Sequence, residues 1–456
     1  MKKYKELTSQ LDKKLGVGVS FDIQRREIKV AERRDASFYS VAGLLDEKMS
    51  EKLLEFIIKS ESAEEGFFNI PHHDVLFSSD TEKLSEGILS GKAVLIVSGI
   101  DVGAIIDAKS YPMRSIEEPE NDRVLRGPRD GFSESLVRNT SLIRRRLKDS
   151  KLRIERLTVG KPCGCDIALS YVEGKADSEF VSKLRKKLNS LTVSSLNMAQ
   201  ESLAECIIHR GWYNPFPKIR YTERPDTAAA MLEEGSVIII CDNSPQVMIL
   251  PTSIFDFLQE TDDFYFPPLV GTYLRFTRMI IFFLALILTP LWYQLLKVPE
   301  ALPEWLKFID INKPAAVPLL FQLLLAEFMI DGLKLASLNT PSMLNNSLSV
   351  VGGLILGDYA VQAGWFSPQT ILYMSIVAIA SFTQQSYELG YAVKFFRIIL
   401  LIAVEFLGWR GFFGGLILTV LTIASNKTVR GSRSYLYPLI PFNGKALLRL
   451  FVRKKL

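Results

Sequence analysis

The distribution of charge along the chain limits its fold more than any other feature of the sequence. Residues 1–265 are dense in Lys, Arg, Asp and Glu, whereas residues 271–425 contain long apolar runs with scattered charges. A helix needs roughly 20 apolar residues to cross a bilayer, and these runs approach or exceed that length. The average hydrophobic content, 48%, is ordinary. The uneven pattern predicts a cytosolic α/β N-terminal region followed by an α-helical multi-pass membrane domain.

The apolar region divides into several predicted spans. The clearest is 273–296, which has basic residues at its ends and the interfacial aromatic pair Trp292 and Tyr293. Three weaker spans follow: 314–335, 348–365 and 370–387. The last segment, 395–424, is too long for one straight span, and glycines around Gly408 interrupt it. We predict a re-entrant hairpin there, although six short crossings give the same polarity.

The charges at the two ends predict the orientation in the membrane. The tail contains basic residues and no Asp or Glu: Lys427, Arg430, Arg433, Lys445, Arg449, Arg453, Lys454 and Lys455. Basic juxtamembrane segments stay cytoplasmic, facing anionic lipid headgroups, and nucleic-acid binding is the weaker interpretation of this tail. Residues 1–14 lack the apolar stretch of a secretory signal. We therefore expect both termini in the cytosol and the four cysteines as free thiols.

The N-terminal region contains one unit twice. Residues 84–107 and 228–250 each read as a short helix, an apolar strand, a tight turn and a second strand. A basic stretch, 132–156, lies between them and has apolar residues at helical spacing. The predicted domains are α/β subdomain 1 (1–130), a helical connector (131–160), α/β subdomain 2 (161–268), the transmembrane domain (269–425) and the basic tail (426–456).

Several motifs resemble one known family. The longest is Arg126-Gly-Pro-Arg-Asp-Gly-Phe-Ser-Glu-Ser-Leu136, which continues to Asn139 and to the arginines at 144–146. The others are 221–226, 235–251, 264–268 and 275–293. Over nearly its whole length, the chain resembles the A-subunit family of GerA-type spore germination proteins.

The resemblance implies a protein of the spore inner membrane that acts in germination. Subunits of this type are thought to form a homo-oligomeric ring, such as a pentamer, around an ion-conducting pore. The implied partners are a small membrane subunit and other spore germination proteins. An alternative is the A subunit of a nutrient germinant receptor. However, residues 331–336 depart from the acidic stretch usual in receptors, and Gln385 replaces a common Pro.

Acidic residues within apolar spans are the main functional candidates, because a charge in hydrocarbon is costly unless it faces water or a partner. The pore candidates are Glu327, Asp331, Asp358 and Glu405, with Glu388 as a further acidic residue. The alternative is that they pair with Lys334, Lys394, Arg397 or Arg410. The oligomer-packing candidates are Arg126, Arg129, Asp130, Gly352, Gly353 and Gly357.

Other constellations point less clearly to a function. Arg220, Glu223, Arg224 and Asp226 could line a ligand cleft between the subdomains, or form a salt-bridged loop. Cys163, Cys165, Cys206 and His209 have the chemistry of a zinc set, but the last two lie in an apolar-periodic helix. His72 and His73 have no nucleophile or phosphate loop beside them. We expect no enzyme, metal or cofactor, and a non-conducting membrane scaffold is a further alternative.

Overall fold

The computed structural model describes residues 2–72, 74–111, 127–160, 164–191, 199–208, 213–260, 262–298, 303–311, 315–339, 357, 359–384, 386–426 and 434–452. The chain divides into two compact units. The first is built mainly from residues 1–252 and the second mainly from residues 253–456.

The first unit is two copies of one α/β arrangement, each with the order α-β-β-α-α-β-α-β-β. The elements of the first repeat are α1 (Lys2–Leu15), β1 (Ile23–Lys29), β2 (Asp35–Val41), α2 (Glu47–Lys59), α3 (Ala63–Phe68), β3 (Val75–Ser78), α4 (Thr81–Leu89), β4 (Ala93–Val97) and β5 (Gly103–Ile106). Those of the second are α5 (Leu136–Arg146), β6 (Leu152–Val159), β7 (Cys165–Val172), α6 (Ser178–Asn189), α7 (Ala199–Ile207), β8 (Arg220–Thr222), α8 (Pro225–Glu233), β9 (Val237–Cys241) and β10 (Val247–Leu250).

The two repeats form equivalent antiparallel sheets. Their strand orders are β1-β2-β4-β5-β3 and β6-β7-β9-β10-β8. The registers correspond as well, since Ile23 lies opposite Val41 in one sheet and Leu152 opposite Val172 in the other. The predicted pair of related α/β subdomains is therefore confirmed, and the duplication extends well beyond the helix-strand-turn-strand segment visible in the sequence.

Helices cover both faces of each sheet, which explains the apolar central strands. β4 and β9 are buried at every position because α1 and α4, or α5 and α8, cover one face and the remaining helices cover the other. Side-chain caps begin several helices: Asp46 accepts from the Met49 amide at 3.0 Å, and Asp177 accepts from the Glu179 amide at 3.0 Å.

The connector differs from its prediction. The helical pattern of 132–156 forms a helix only at Leu136–Arg146, and residues 152–159 form the first strand of the second sheet. The helix is amphipathic, as predicted, but alternation in LRIERLTV belongs to an edge strand. Residues 131–160 are thus part of the second repeat and not a separate connector.

The second unit is helical. Its α-helices are α9 (Asp262–Tyr265), α10 (Pro268–Leu296), α11 (Leu319–Asn339), α12 (Ala360–Gln362), α13 (Pro368–Phe382), α14 (Tyr387–Ser425) and α15 (Gly444–Phe451). Within the described residues, α10 alone is both long and apolar enough to cross a membrane. α13 is apolar but shorter, while α11 and α14 carry charges. Most of the span predicted at 348–365 lies outside the described residues.

Helix α14 folds back on itself at Gly408. This glycine has φ 58° and ψ −134°, a conformation that breaks the helix in two and that other residues rarely adopt. A Cβ at Gly415 would lie 2.6 Å from Leu400 Cδ2, although a straight helix would separate these residues by about 22 Å. The region is thus a helical hairpin, and the predicted break near Gly408 accounts for it.

Candidate functional site

Ionised side chains meet inside the apolar helical unit. Arg397, on the first arm of α14, donates to both carboxylate oxygens of Glu327 on α11, at 2.6 and 2.9 Å. Both side chains are almost completely buried, with exposed fractions of 2% and 3%. Arg397 also donates to the carbonyl of Ala285 on α10. One guanidinium therefore joins three helices and satisfies a buried carboxylate.

A second cation extends the cluster. Lys394 lies one turn before Arg397 on the same face of α14. Its Nζ contacts the Asp331 carboxylate, donates to the backbone oxygen of Glu327 at 3.1 Å and lies 3.8 Å from Glu327 Oε2. Glu327 and Asp331 are one turn apart on α11, so the two helices present matching pairs of opposite charges.

A small cavity of about 20 Å³ adjoins this cluster, with room for about one water molecule. Lys334 lines it and donates to Ser381 Oγ at 3.0 Å, and its ammonium lies 4.9 Å from the ring centre of Phe382. We name Glu327, Asp331, Lys334, Lys394 and Arg397 the charge cluster. Its two carboxylates and three cations leave one formal positive charge.

Glu405 lies apart from the charge cluster, near the bend of the hairpin. Its carboxylate accepts from the Tyr293 hydroxyl and the Lys297 ammonium, and its side chain is 36% exposed. Gln294 of α10, next to Tyr293, lies 3.6 Å from the Cβ position at Gly408. Glu405 therefore connects α10 to the end of the first arm of α14.

The start of α10 carries another ionic network. Arg275 Nε lies 3.1 Å from Asp263 Oδ2, and Arg278 contacts both oxygens of Asp263 at 3.0 and 2.8 Å. Arg278 also pairs with Glu260 at 2.7 Å. The two arginines read from sequence as interfacial flanks are thus paired with carboxylates of the preceding segment.

The predicted cleft residues lie on β8, at the start of α8 and in the loop between them, and two of them form a salt bridge. Arg224 donates to both oxygens of Asp226, at 3.0 and 2.6 Å, and is 1% exposed. Glu223 accepts from Gln246 at 2.8 Å, and Arg220 is buried on β8. The open groove seen in the described part of this unit lies elsewhere, between α1 and β1.

The other candidates are dispersed. Asp130 pairs with Arg146 of α5, and Arg129 lies in the segment before that helix. Gly357 is half-buried, and none of the described heavy atoms lies within 4 Å of its Cβ position. Glu388 lies in the first turn of α14. Arg126, Gly352, Gly353 and Asp358 lie outside the described residues, as do His73, Cys163 and His209.

The described residues contain no group of three His, Cys, Asp or Glu that could hold a metal ion. Cys165 and Cys206 lie on β7 and α7 as free thiols, and Cys241 on β9 is a buried free thiol.

Sequence reasoning missed one buried pair. Asp22, before β1, accepts from Arg144 of α5 at 2.7 and 3.3 Å, and both side chains are fully buried. Arg144 also donates to the carbonyls of Asp149 and Leu152 at 3.1 Å. Its occurrence inside the long family motif was the signal available, since a buried Arg needs a carboxylate partner.

The fold and these contacts define a class of protein: a duplicated α/β unit joined to an apolar helical unit that buries paired charges. Residues 9–456 match the family model described as Bacillus/Clostridium GerA spore germination protein. The chain belongs to this family, as its motifs predicted.

Individual relatives agree with this assignment. The chain is 36% identical to stage V sporulation protein AF of Bacillus subtilis (strain 168) over 448 residues, which cover 96% of this chain and 90% of that protein. The narrower sequence resemblance, carried by residues 127–131, 335–341 and 381–389, is to that protein. Spore germination protein KA of the same organism is 29% identical, over 94% of this chain and 81% of that protein.

Among solved structures, the chain is similar to the N-terminal domain of the A subunit of the Bacillus megaterium spore germinant receptor GerK3. The TM-score is 0.40 at 23% identity, covering 53% of this chain and 92% of that one.

Proposed function

We propose that the chain is a subunit of an oligomeric ion channel or transport complex of the spore inner membrane that promotes ion release during germination. It crosses the membrane several times with both termini in the cytosol. A small membrane subunit and other germination proteins are its partners. It acts without enzymatic chemistry or a cofactor.

The charge cluster carries this proposal. Ionised groups inside apolar helical segments are rare and costly, and they mark ion pathways, relays or gates more often than ordinary packing positions. Here five such groups adjoin one cavity. Lys394 of α14 lies near both Glu327 and Asp331 of α11, so one cation is shared by two carboxylates. A path for ions opens if Lys394 and Arg397 exchange their carboxylate partners, or if either cation releases its carboxylate.

The α/β unit serves as the cytosolic assembly and gating element. The Asp22–Arg144 pair joins its two repeats through a contact with no exposed surface. A displacement of one repeat therefore moves the other, which suits a unit that transmits a signal.

One observation favours the non-conducting scaffold as a second candidate. Glu327 and Asp331 already have cationic partners within the same chain, so packing alone accounts for their charge. The receptor alternative has less support, because Arg224 and Asp226 satisfy each other within their loop.

Ion flux through the full chain distinguishes these candidates. The chain is reconstituted in liposomes, alone and with its small membrane partner, and K⁺ and anion flux are recorded. Asp331→Asn, which keeps the size of the side chain and removes one charge of the charge cluster, is compared with the wild type and with Glu405→Gln. Glu304→Gln is the matched control, since Glu304 is 93% exposed and pairs with Lys307 on the surface.

A conducting subunit gives flux that Asp331→Asn changes about tenfold and Glu304→Gln leaves unaltered, because charge near a pore acts on every passing ion. Oligomers that assemble and conduct neither ion, with or without the partner, contradict the channel and favour the scaffold. The sign of the reversal potential then shows whether cations or anions pass preferentially through a pathway beside the charge cluster, which carries one excess positive charge.

A further inference from the structure

The two repeats of the α/β unit meet through an asymmetric contact. The loop before β1 lies on the free edge of β6, where the Phe21 amide donates to the Ile154 carbonyl at 2.9 Å. At its centre is the buried Asp22–Arg144 pair. A second loop, after β2, packs on α5. The first repeat thus contributes two loops, and the second contributes helix α5 and strand β6.

Both loops have counterparts in the second repeat. Ala42 N donates to Asp22 O at 2.7 Å, and Glu173 N donates to Lys151 O at 2.9 Å in the same place of the second sheet. Lys151 therefore occupies the position of Asp22. It is exposed to solvent, whereas Asp22 is buried against α5.

The second pair of loops corresponds equally well. Gly43 and Gly174 follow β2 and β7 with φ angles of 75° and 81°. A Cβ at Gly43 would lie 3.1 Å from Ser141 of α5, whereas none of the described atoms lies within 4 Å of the Cβ position at Gly174. The loops of the second repeat are shaped like those of the first. Gly235 lies against Lys175 and Arg153 pairs with Glu173, but no described helix occupies the place on Gly174 that α5 occupies on Gly43.

The receiving surface also has a counterpart. An open groove of about 540 Å³ runs between α1 and β1 and is lined by Ser9 and Asp12, among others. Thr8 of α1 and Thr140 of α5 each donate to the carbonyl three residues earlier, at 3.2 and 2.9 Å, which aligns the two helices. Asp12 then occupies the position of Arg144, and Ser9 that of Ser141.

We propose that this groove binds the second repeat of another copy of the chain, through loops 149–151 and 173–175. This contact between copies has the same arrangement as the contact that joins the two repeats within one copy. The charges agree: Asp22 meets Arg144 inside the chain, and Lys151 meets Asp12 between chains, so the signs reverse but remain opposite.

The contact is head-to-tail, because each copy presents the groove on one repeat and the loops on the other. Such contacts produce a closed ring or an open row of copies. Asp12 keeps its own partners, accepting from Tyr39 at 2.9 Å and pairing with Arg25, so these contacts hold its carboxylate in place. The inference rests on the oligomeric part of the proposed function and not on conduction.

Crosslinking of the full chain in vesicles tests the contact. Ser9→Cys and Lys175→Cys place thiols on the groove and on the docking loop, and a short bis-maleimide joins copies that dock. Ser60→Cys with Lys175→Cys is the control, since Ser60 lies on the first repeat away from the groove. Chains with one introduced cysteine report background from native thiols.

Charge reversal makes the test specific. Lys151→Glu lowers the yield of the Ser9–Lys175 crosslink about tenfold, because like charges then face each other. Combining Asp12→Lys and Ser9→Cys on one chain with Lys151→Glu and Lys175→Cys on the other restores the yield. Melting temperatures show that each variant folds, and the Lys151→Glu result stands without Asp12→Lys.

A Ser9–Lys175 yield no higher than that of the Ser60 control, or one unchanged by Lys151→Glu, overturns the proposed contact. Loss of crosslinking with intact ion flux contradicts only the proposed docking surface. Loss of ion flux with intact crosslinking contradicts only the proposed channel function.

Discussion

At the residue scale, the most deeply buried arginines of the described residues are paired with carboxylates. Arg144, Arg275 and Arg397 are each less than 4% exposed, and each lies against a carboxylate. A buried ion pair stabilises a fold little more than an apolar pair of the same shape. Removal of one partner is destabilising, however, because the other charge is left buried without a partner. These pairs therefore specify which elements pack together more than they stabilise the fold.

Truncation of Arg144 tests that interpretation. Arg144→Ala leaves Asp22 buried and unpaired and also removes two donors to backbone carbonyls. We expect a loss of about 3–5 kcal/mol in the free energy of unfolding, measured by urea denaturation. Lys183→Ala is the control, since it removes an exposed pair with Glu179 and should cost less than about 0.5 kcal/mol. Equal effects of the two variants would contradict a specific role for the buried pair.

Thiol chemistry gives a prediction that depends on pH. Burial raises the pKa of the Cys241 thiol and also that of Cys165, because a thiolate loses its solvation inside the protein. The folded chain therefore keeps Cys241 protonated at pH 8. Its alkylation by iodoacetamide, followed by mass spectrometry, should be at least ~10-fold slower than in urea. Equal rates in the folded and unfolded chains would show that Cys241 is not buried.

At the element scale, small residues determine how the two arms of α14 pack. A Cβ on Gly411 would overlap the Ala403 carbonyl oxygen, whereas a Cβ on Gly414 would have no described atom within 4 Å. The first arm carries the cations of the charge cluster, so the arm-to-arm distance influences where Lys394 and Arg397 lie. These two glycines, three residues apart on one helix, thus differ in their tolerance for a methyl group.

The pair Gly411→Ala and Gly414→Ala measures this difference. Gly411→Ala should destabilise the second unit by about 1–3 kcal/mol through overpacking. Gly414→Ala should leave stability unchanged or raise it by up to about 1 kcal/mol, since alanine favours helices. Thermal unfolding of the full chain in detergent, followed by circular dichroism, reports both. The same melting temperature for both variants would argue against close packing of the arms.

At the scale of the whole molecule, each unit has its own apolar core. Among the described residues, four buried clusters belong to the α/β unit, two on opposite faces of each sheet, and two further clusters belong to the helical unit. The shared α5 contact and the Asp22–Arg144 pair join the two sheets into one folding unit.

A fragment of residues 1–252 should therefore fold by itself. Urea denaturation should show a single transition by fluorescence and circular dichroism, because neither repeat keeps its buried charge satisfied without the other. Two separated transitions would mean that the repeats fold independently. Aggregation of the fragment under native conditions would mean that its cores depend on the remainder of the chain.

The local pattern of residues was sufficient for much of this architecture. Apolar content separates the two units, strand β4 lies within the predicted helix-strand-turn-strand segment 84–107, and glycines mark the bend at Gly408. Periodicity and turn chemistry act over a few residues, so they can be read directly. The stretch at 152–159 was misassigned because alternation beside a true helix resembled the end of that helix.

The chain by itself thus determined the division into units, the repeat and the position of the bend. Only the tertiary structure decided the partners of the charges. Glu327 and Arg397 are separated by 70 residues, and Asp22 and Arg144 by 122. Local sequence says that a buried arginine needs a carboxylate, but packing of distant elements selects which carboxylate lies within reach, because ion pairs depend on distances of a few ångströms.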